Sequence, residues 1–149
     1  MAWSNCHESH SFSGMKNEPF IFEFPEWEII LVDGPDTKDF LHRITSADFR
    51  NAATGCAVSG TLLTALGKTI FYFDAVESLE KKGYLLVVPN FQGMDPVAEL
   101  EKLHFVEKLT IRSVRSEWRY CRMLTKNKVV PQLTEKQISF ELGQWSVDR

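Results

Sequence analysis

Long apolar runs are missing from this sequence. None approaches the ~18 consecutive residues that a membrane-spanning helix needs, so no membrane partner is expected. Cysteine is scarce too: Cys6, Cys56 and Cys121 are an odd number at wide, irregular spacings, which argues against a disulfide framework and for reduced thiols. Cys-x-x-Cys pairs are absent, and Cys6, His7 and His10 have no fourth ligand near them, so no metal site is expected. Positive charge is in deficit, with 17 Lys and Arg against 20 Asp and Glu, and a net charge of −3 is poor ground for nucleic-acid binding. The opening residues carry Glu8 and Glu18 without an apolar stretch, which points away from a secretory leader and towards the cytoplasm. A mitochondrial home stays open for a eukaryotic source.

Catalytic signatures are also lacking. There is no Gly-x-Ser-x-Gly elbow, and Gly67-Lys68-Thr69 fails as a phosphate-binding loop because Leu62 stands where its first glycine belongs and a strand-like run follows Thr69. No nucleophile and base stand at a telling spacing. Cys56, between Gly55 and Ala57, reads as a small buried hydrophobe, and His42 and His104 read as solvated side chains.

What is present is the make-up of one ordinary domain: 149 residues, 44% hydrophobic and 25% charged. Residues 1–18 have no periodicity and read as a flexible arm. Phe20, Phe22 and Phe24 alternate with Ile21 and Glu23 as a strand, and Trp27 to Val32 is a second, more buried one. Gly34-Pro35-Asp36 turns the chain into a helix, with Asp36 as its cap and Phe40, Leu41 and Ile44 on its buried face. Val58–Thr64 and Thr69–Asp74 form a hairpin through residues 65–68, and the second strand, apolar on both faces, is expected near the sheet centre. Gly83 to Pro89 is another buried strand. Asp95-Pro96 opens a second helix that buries Val97 and Leu100, and Leu109 to Arg112 follow as a strand.

That order predicts an α+β fold, an antiparallel sheet with two helices on one face, of the ferredoxin-like or split βαβ kind. The expected domain runs over 19–114. Residues 115–149 read as a tail or part of a second subdomain, with seven Lys and Arg against four acidic residues, leaving −6 on the first 114. Trp118, Tyr120 and Trp145 in this tail are available to cover the sheet, in cis or across a dimer. Among Phe71, Tyr72 and Phe73, Tyr72 is the candidate to line a flat ligand's pocket, because its hydroxyl needs a partner; the strand as a whole reads as core.

As a set, these residues resemble the N-terminal half of the glycine-cleavage T-protein superfamily, and within it the YgfZ-type branch of folate-binding iron–sulfur maintenance proteins. The resemblance spans residues 27 to 114: Gly34-Pro35-Asp36, Phe40-Leu41, Thr45 and Asp48, then the hairpin from Leu62 to Lys68, the strand from Gly83 to Asn90, and Leu109-Thr110-Ile111. It implies a tetrahydrofolate-binding accessory protein of iron–sulfur cluster assembly or repair, with Tyr72, Asn90 and Leu63 as its folate-facing residues. The aspartate that aminomethyltransferases of the superfamily carry after the hairpin is replaced by Ile70 and Phe71, so no aminomethyl transfer, and no enzyme in the usual sense, is expected. The Lys-Gly-Cys-x-x-Gly-Gln-Glu segment of the YgfZ-type branch is absent from this sequence, and the Thr45 to Asp48 spacing is one residue longer than the family's. The alternative is a truncated, non-catalytic module that works as a subunit or homodimer, its partner completing the cavity.

Overall fold

A computed structural model describes residues 20–52, 56–78, 82–89 and 93–124. Seven strands and two helices occur among them: β1 (Phe20–Glu23), β2 (Glu28–Asp33), α1 (Thr37–Ile44), β3 (Val58–Leu63), β4 (Thr69–Glu77), β5 (Gly83–Val88), α2 (Pro96–Glu101), β6 (Thr110–Ser113) and β7 (Cys121–Leu124). The main sheet is antiparallel throughout, in the order β3-β4-β5-β2-β6. Omitting the edge strand β3 leaves β4-β5-β2-β6, the split βαβ arrangement in which α1 and α2 cross on one face. The expected α+β class and its two helices are therefore present. β1 and β7 pair separately as an antiparallel ribbon.

The period-two pattern sorts each strand's side chains onto two faces. On the helical face Ile30, Val32, Phe71, Phe73, Ala75, Leu86 and Val88 meet Phe40 and Leu41 of α1 and Leu100 of α2 in one buried cluster. On the other face Ile29, Val76, Leu85 and Val87 form a second cluster, closed by Val114 and Tyr120 with Phe24, Trp27 and Trp118 packed against it. Trp118 and Tyr120 of the tail thus cover the sheet in cis; Trp145 lies outside the described residues.

The strand expected near the sheet centre, β4, lies next to it. β5 is central, and all six of its residues are buried, whereas β4 has β3 beyond it and an exposed Tyr72. Along β4, Val76 is covered by the second cluster whereas Tyr72 is 47% exposed. Gly83 at the start of β5 is required by close approach: a Cβ there would stand 2.0 Å from the Val32 carbonyl oxygen.

The two helix starts differ. At α2, Asp95 Oδ1 accepts from the amides of Val97 and Ala98 at 3.0 and 3.3 Å, with Pro96 where no amide is needed. At α1 the expected side-chain cap is not made, because Asp36 Oδ2 accepts instead from the Lys108 amide at 2.7 Å. That bond ties the α2–β6 loop to the start of α1, where Gly34 has a φ of +146° and no room for a Cβ beside the Lys108 carbonyl. Glu107 reinforces the tie, pairing with Arg43 of α1 and accepting from the amides of Phe105 and Val106. Those bonds, the Phe105 amide foremost, hold its carboxyl down at about 2.

Three side chains differ from expectation. His42 is half-buried rather than solvated, its Nδ1 buried and 3.4 Å from Asp48 Oδ1. Cys56 is exposed, because residues 56 and 57 precede the first paired position of β3 and offer the thiol no core to enter. His104 is engaged rather than merely solvated: its Nε2 lies 2.9 Å from the Glu107 carbonyl and its Nδ1 3.2 Å from Glu101, and these contacts, the carbonyl first, raise its pKa.

Candidate functional site

The sheet face opposite the helices is covered at one end only, and the candidate site lies where the cover stops. Alternation along Thr69–Glu77 puts Tyr72, Asp74 and Val76 on this face. Val76 is buried, Asp74 half-buried and Tyr72 47% exposed, so the strand runs from core to open surface within five residues. Across the pair, Thr61 opposes Tyr72 and Ser59 opposes Asp74. Ser59 Oγ donates to Asp74 Oδ1 at 2.6 Å.

Arg122 of β7 marks the boundary. Its guanidinium lies over the rings of Trp27, Phe24 and Tyr120, with centroid distances of 5.2, 5.7 and 5.8 Å, and its Nε donates to the Tyr120 hydroxyl at 2.8 Å. Its Nη2 stands 3.6 Å from Asp74 Oδ2. Burial raises the Tyr120 pKa against the opposing pull of Arg122, which keeps the phenol neutral and able to donate. A cleft of about 290 Å³ beside Tyr120 is lined by Phe24, Trp27, Trp118 and Tyr120 with Arg115 and Arg119.

The outer edge of β3 is closed by the chain itself. Thr61 donates from its amide to Ser46 Oγ at 2.9 Å, and its carbonyl accepts the Ser46 amide at 3.0 Å. The Thr61 hydroxyl lies 3.0 Å from Ser46 Oγ. The open patch beside Tyr72 is thereby made of hydroxyls at its edge, an aromatic face at its middle and a carboxylate and guanidinium towards the covered end. Such a set can stack a flat ring and hold polar substituents around it.

Of the three residues expected to face folate, Tyr72 and Leu63 are on the β3–β4 hairpin and exposed, at 47% and 38%. The two do not oppose each other: Thr61 is the residue opposite Tyr72, and a register shift between Leu62 and Leu63 sets Leu63 opposite Thr69. Asn90 lies outside the described residues. Asp74, Thr61 and Arg122 were missed by the sequence reasoning. The alternation in residues 72–76 could have found Asp74, but nothing local could have found Arg122, which arrives from the chain's tail. Ile70 and Phe71, where the resemblance implies that an aminomethyltransferase would carry its aspartate, are placed with the core: Phe71 is fully buried and Ile70 packs against the helical-face cluster.

No protein-family model matches the sequence, and no curated protein matches it. Among solved structures, the glycine cleavage system aminomethyltransferase T from Bartonella henselae is similar, with a TM-score of 0.58 and 21% identity over 65% of this chain and 27% of that one. The likeness is one of fold. This chain spans little more than a quarter of that enzyme's length.

Proposed function

We propose that this chain binds a folate, tetrahydrofolate in the first instance, against the open face of β3 and β4, as an accessory protein of iron–sulfur cluster assembly or repair without aminomethyl transfer. The observation that carries the proposal is Tyr72. Its ring is half-exposed between buried Phe71 and Phe73, and the fold is similar to part of an aminomethyltransferase. The residues present suit the ligand: the Tyr72 ring offers a stacking face for the pterin, Thr61 a hydroxyl at its edge, and Arg122 a cation for a carboxylate of the glutamate tail. Absence of transfer chemistry is supported by the core placement of residues 70 and 71, since a packed aromatic side chain cannot position or polarise a reacting amine.

Calorimetric titration with tetrahydrofolate or folinic acid tests this. One-site binding is expected, weakened about tenfold or more by Tyr72→Ala, since stacking of a ring on an aromatic side chain contributes about 1–3 kcal/mol. Absence of heat at millimolar ligand, or equal binding by the variant, would sink the folate reading. In cells, loss of the chain is expected to lower iron–sulfur enzyme activities; unchanged activities would remove that part alone.

The exposed apolar side chains favour a second reading, an interaction module acting as a subunit or homodimer. Leu66 at the hairpin tip and Phe105 and Val106 on the α2–β6 loop are 86%, 76% and 88% exposed. A mass in solution that rises with concentration, together with absent folate binding, would favour this reading over the first.

A further inference from the structure

A larger cavity opens at the other end of β4. It has a volume of about 470 Å³ and is lined by Asp33 at the end of β2, Thr37 and Lys38 in the first turn of α1, Glu77 at the end of β4, and Lys82 and Tyr84 around the start of β5. Glu77 is five residues along the strand from Tyr72, roughly 16 Å at about 3.3 Å per residue, so this cavity is separate from the patch proposed for folate.

Two polar atoms of residues at its wall lack partners among the described residues. Thr37 is 2% exposed and its Oγ1 has no hydrogen-bond partner there; Asp33 Oδ1 is likewise buried and unpartnered among them. A buried hydroxyl or carboxylate oxygen left in that state carries a desolvation cost that a ligand satisfying both would recover. The start of α1 has donors to spare as well. With the Asp36 carboxylate drawn away to Lys108, no side chain caps the helix. Thr37 N donates to the Gly34 carbonyl and Phe40 N to that of Asp36, which leaves the amides of Lys38 and Asp39 without an acceptor among the described residues.

The charges around the cavity are of both signs. Lys38, Lys82 and the positive end of α1 would draw an anion, but Asp33 and Glu77 would repel it; a plain cation meets the reverse conflict. Only a ligand carrying both signs meets opposite charge at each end. We propose that this cavity binds a small zwitterion, a primary amine joined through a short linker to a carboxylate or phosphate. The anionic end faces the first turn of α1, the Thr37 hydroxyl and the two lysines, and the ammonium faces Asp33 and Glu77. Burial, assisted by Glu77, raises the pKa of Tyr84, which therefore offers a neutral phenol at the cavity wall.

Backbone amide NMR of the whole chain, titrated with O-phosphoethanolamine, β-alanine, inorganic phosphate and ethanolamine, tests the proposal. Saturable shifts at Lys38, Asp39 and Gly83 are expected with one or both zwitterions, at an affinity at least about tenfold above phosphate or ethanolamine alone, as one added charge-assisted contact would give. Phosphoethanolamine and β-alanine separate the phosphate from the carboxylate source. Thr37→Val, nearly the same shape, is expected to weaken binding about tenfold without lowering the melting temperature, and Asp33→Asn to remove the preference for zwitterions over phosphate. Phosphate binding as tightly as the zwitterions, unchanged affinity in Thr37→Val, or no shifts at tens of millimolar ligand would each overturn it. Should Asp33→Asn not fold, the wild-type comparison and Thr37→Val decide alone.

Discussion

Phe71 and Tyr72 are neighbours in β4 with rings of nearly equal size, and the structure assigns them opposite duties. Phe71 is fully buried between the sheet and the helices and meets the Phe73 ring at 6.4 Å. Truncating it to alanine removes its burial and leaves a cavity in a close-packed core, a loss of about 3–5 kcal/mol. Tyr72, 47% exposed, keeps roughly half of its surface in water. With an aromatic side chain burying about 200 Å² when fully covered, about 100 Å² is at stake, or about 2.5 kcal/mol at ~25 cal/mol per Å². Compactness of the unfolded chain and the retained Cβ reduce that to about 1–2 kcal/mol. The two truncations should therefore differ by about 2–3 kcal/mol in urea unfolding, or a midpoint gap of about 1–2 M at a slope near 1.5–2 kcal/mol per molar. Folate binding should be weakened by Tyr72→Ala in the folded protein. Equal unfolding midpoints for the two variants would refute the assignment of inward and outward faces on β4, and with it the proposed site.

Further outcomes follow from the loop and the helix starts. The Glu107 carboxyl falls from 4.5 to about 2 on folding, so it contributes stability that is fully present above pH 4.5 and is lost as pH drops towards 2. Thermal melts of Glu107→Gln should lose this part of the acid sensitivity while starting from a lower melting temperature at pH 7. Asp95→Ala should cost about 1 kcal/mol through the lost cap of α2, a drop of roughly 3–5 °C in melting temperature; no drop would show that the two amides are satisfied by water as readily. Native-state alkylation followed by mass spectrometry should label both Cys56 and Cys121, since both are exposed, and protection of Cys56 would contradict the open approach to β3.

Much of the fold could be read from local pattern. Asp95-Pro96, the continuous apolar run in β5 and the hairpin through residues 65–68 each encode their structure within a few residues, and each occurs as expected. Asp36 shows the limit. Its position before a helix predicts a cap, but a carboxylate has two good acceptors and a choice of donors, and the winning donor is an amide 72 residues away. Tyr72 was legible as a candidate because a hydroxyl on an aromatic strand demands explanation; its neighbour Arg122 was not, because a basic residue in a charged tail has no local mark of stacking on Phe24, Trp27 and Tyr120. Cys56 failed for a related reason: its small neighbours resemble a buried strand, yet pairing begins two residues later.

β5 has a consequence in time as well as in space. It lies between β4 and β2, with apolar layers above and below, so no partial opening that peels an edge strand or lifts the β1–β7 ribbon exposes its amides. Its hydrogens should exchange with solvent only when the whole domain unfolds, while those of β7 exchange through small local excursions. The slowest amides of the molecule would then read out global stability directly, and the spread between them and the ribbon would show how much of the chain can loosen while its centre stays shut.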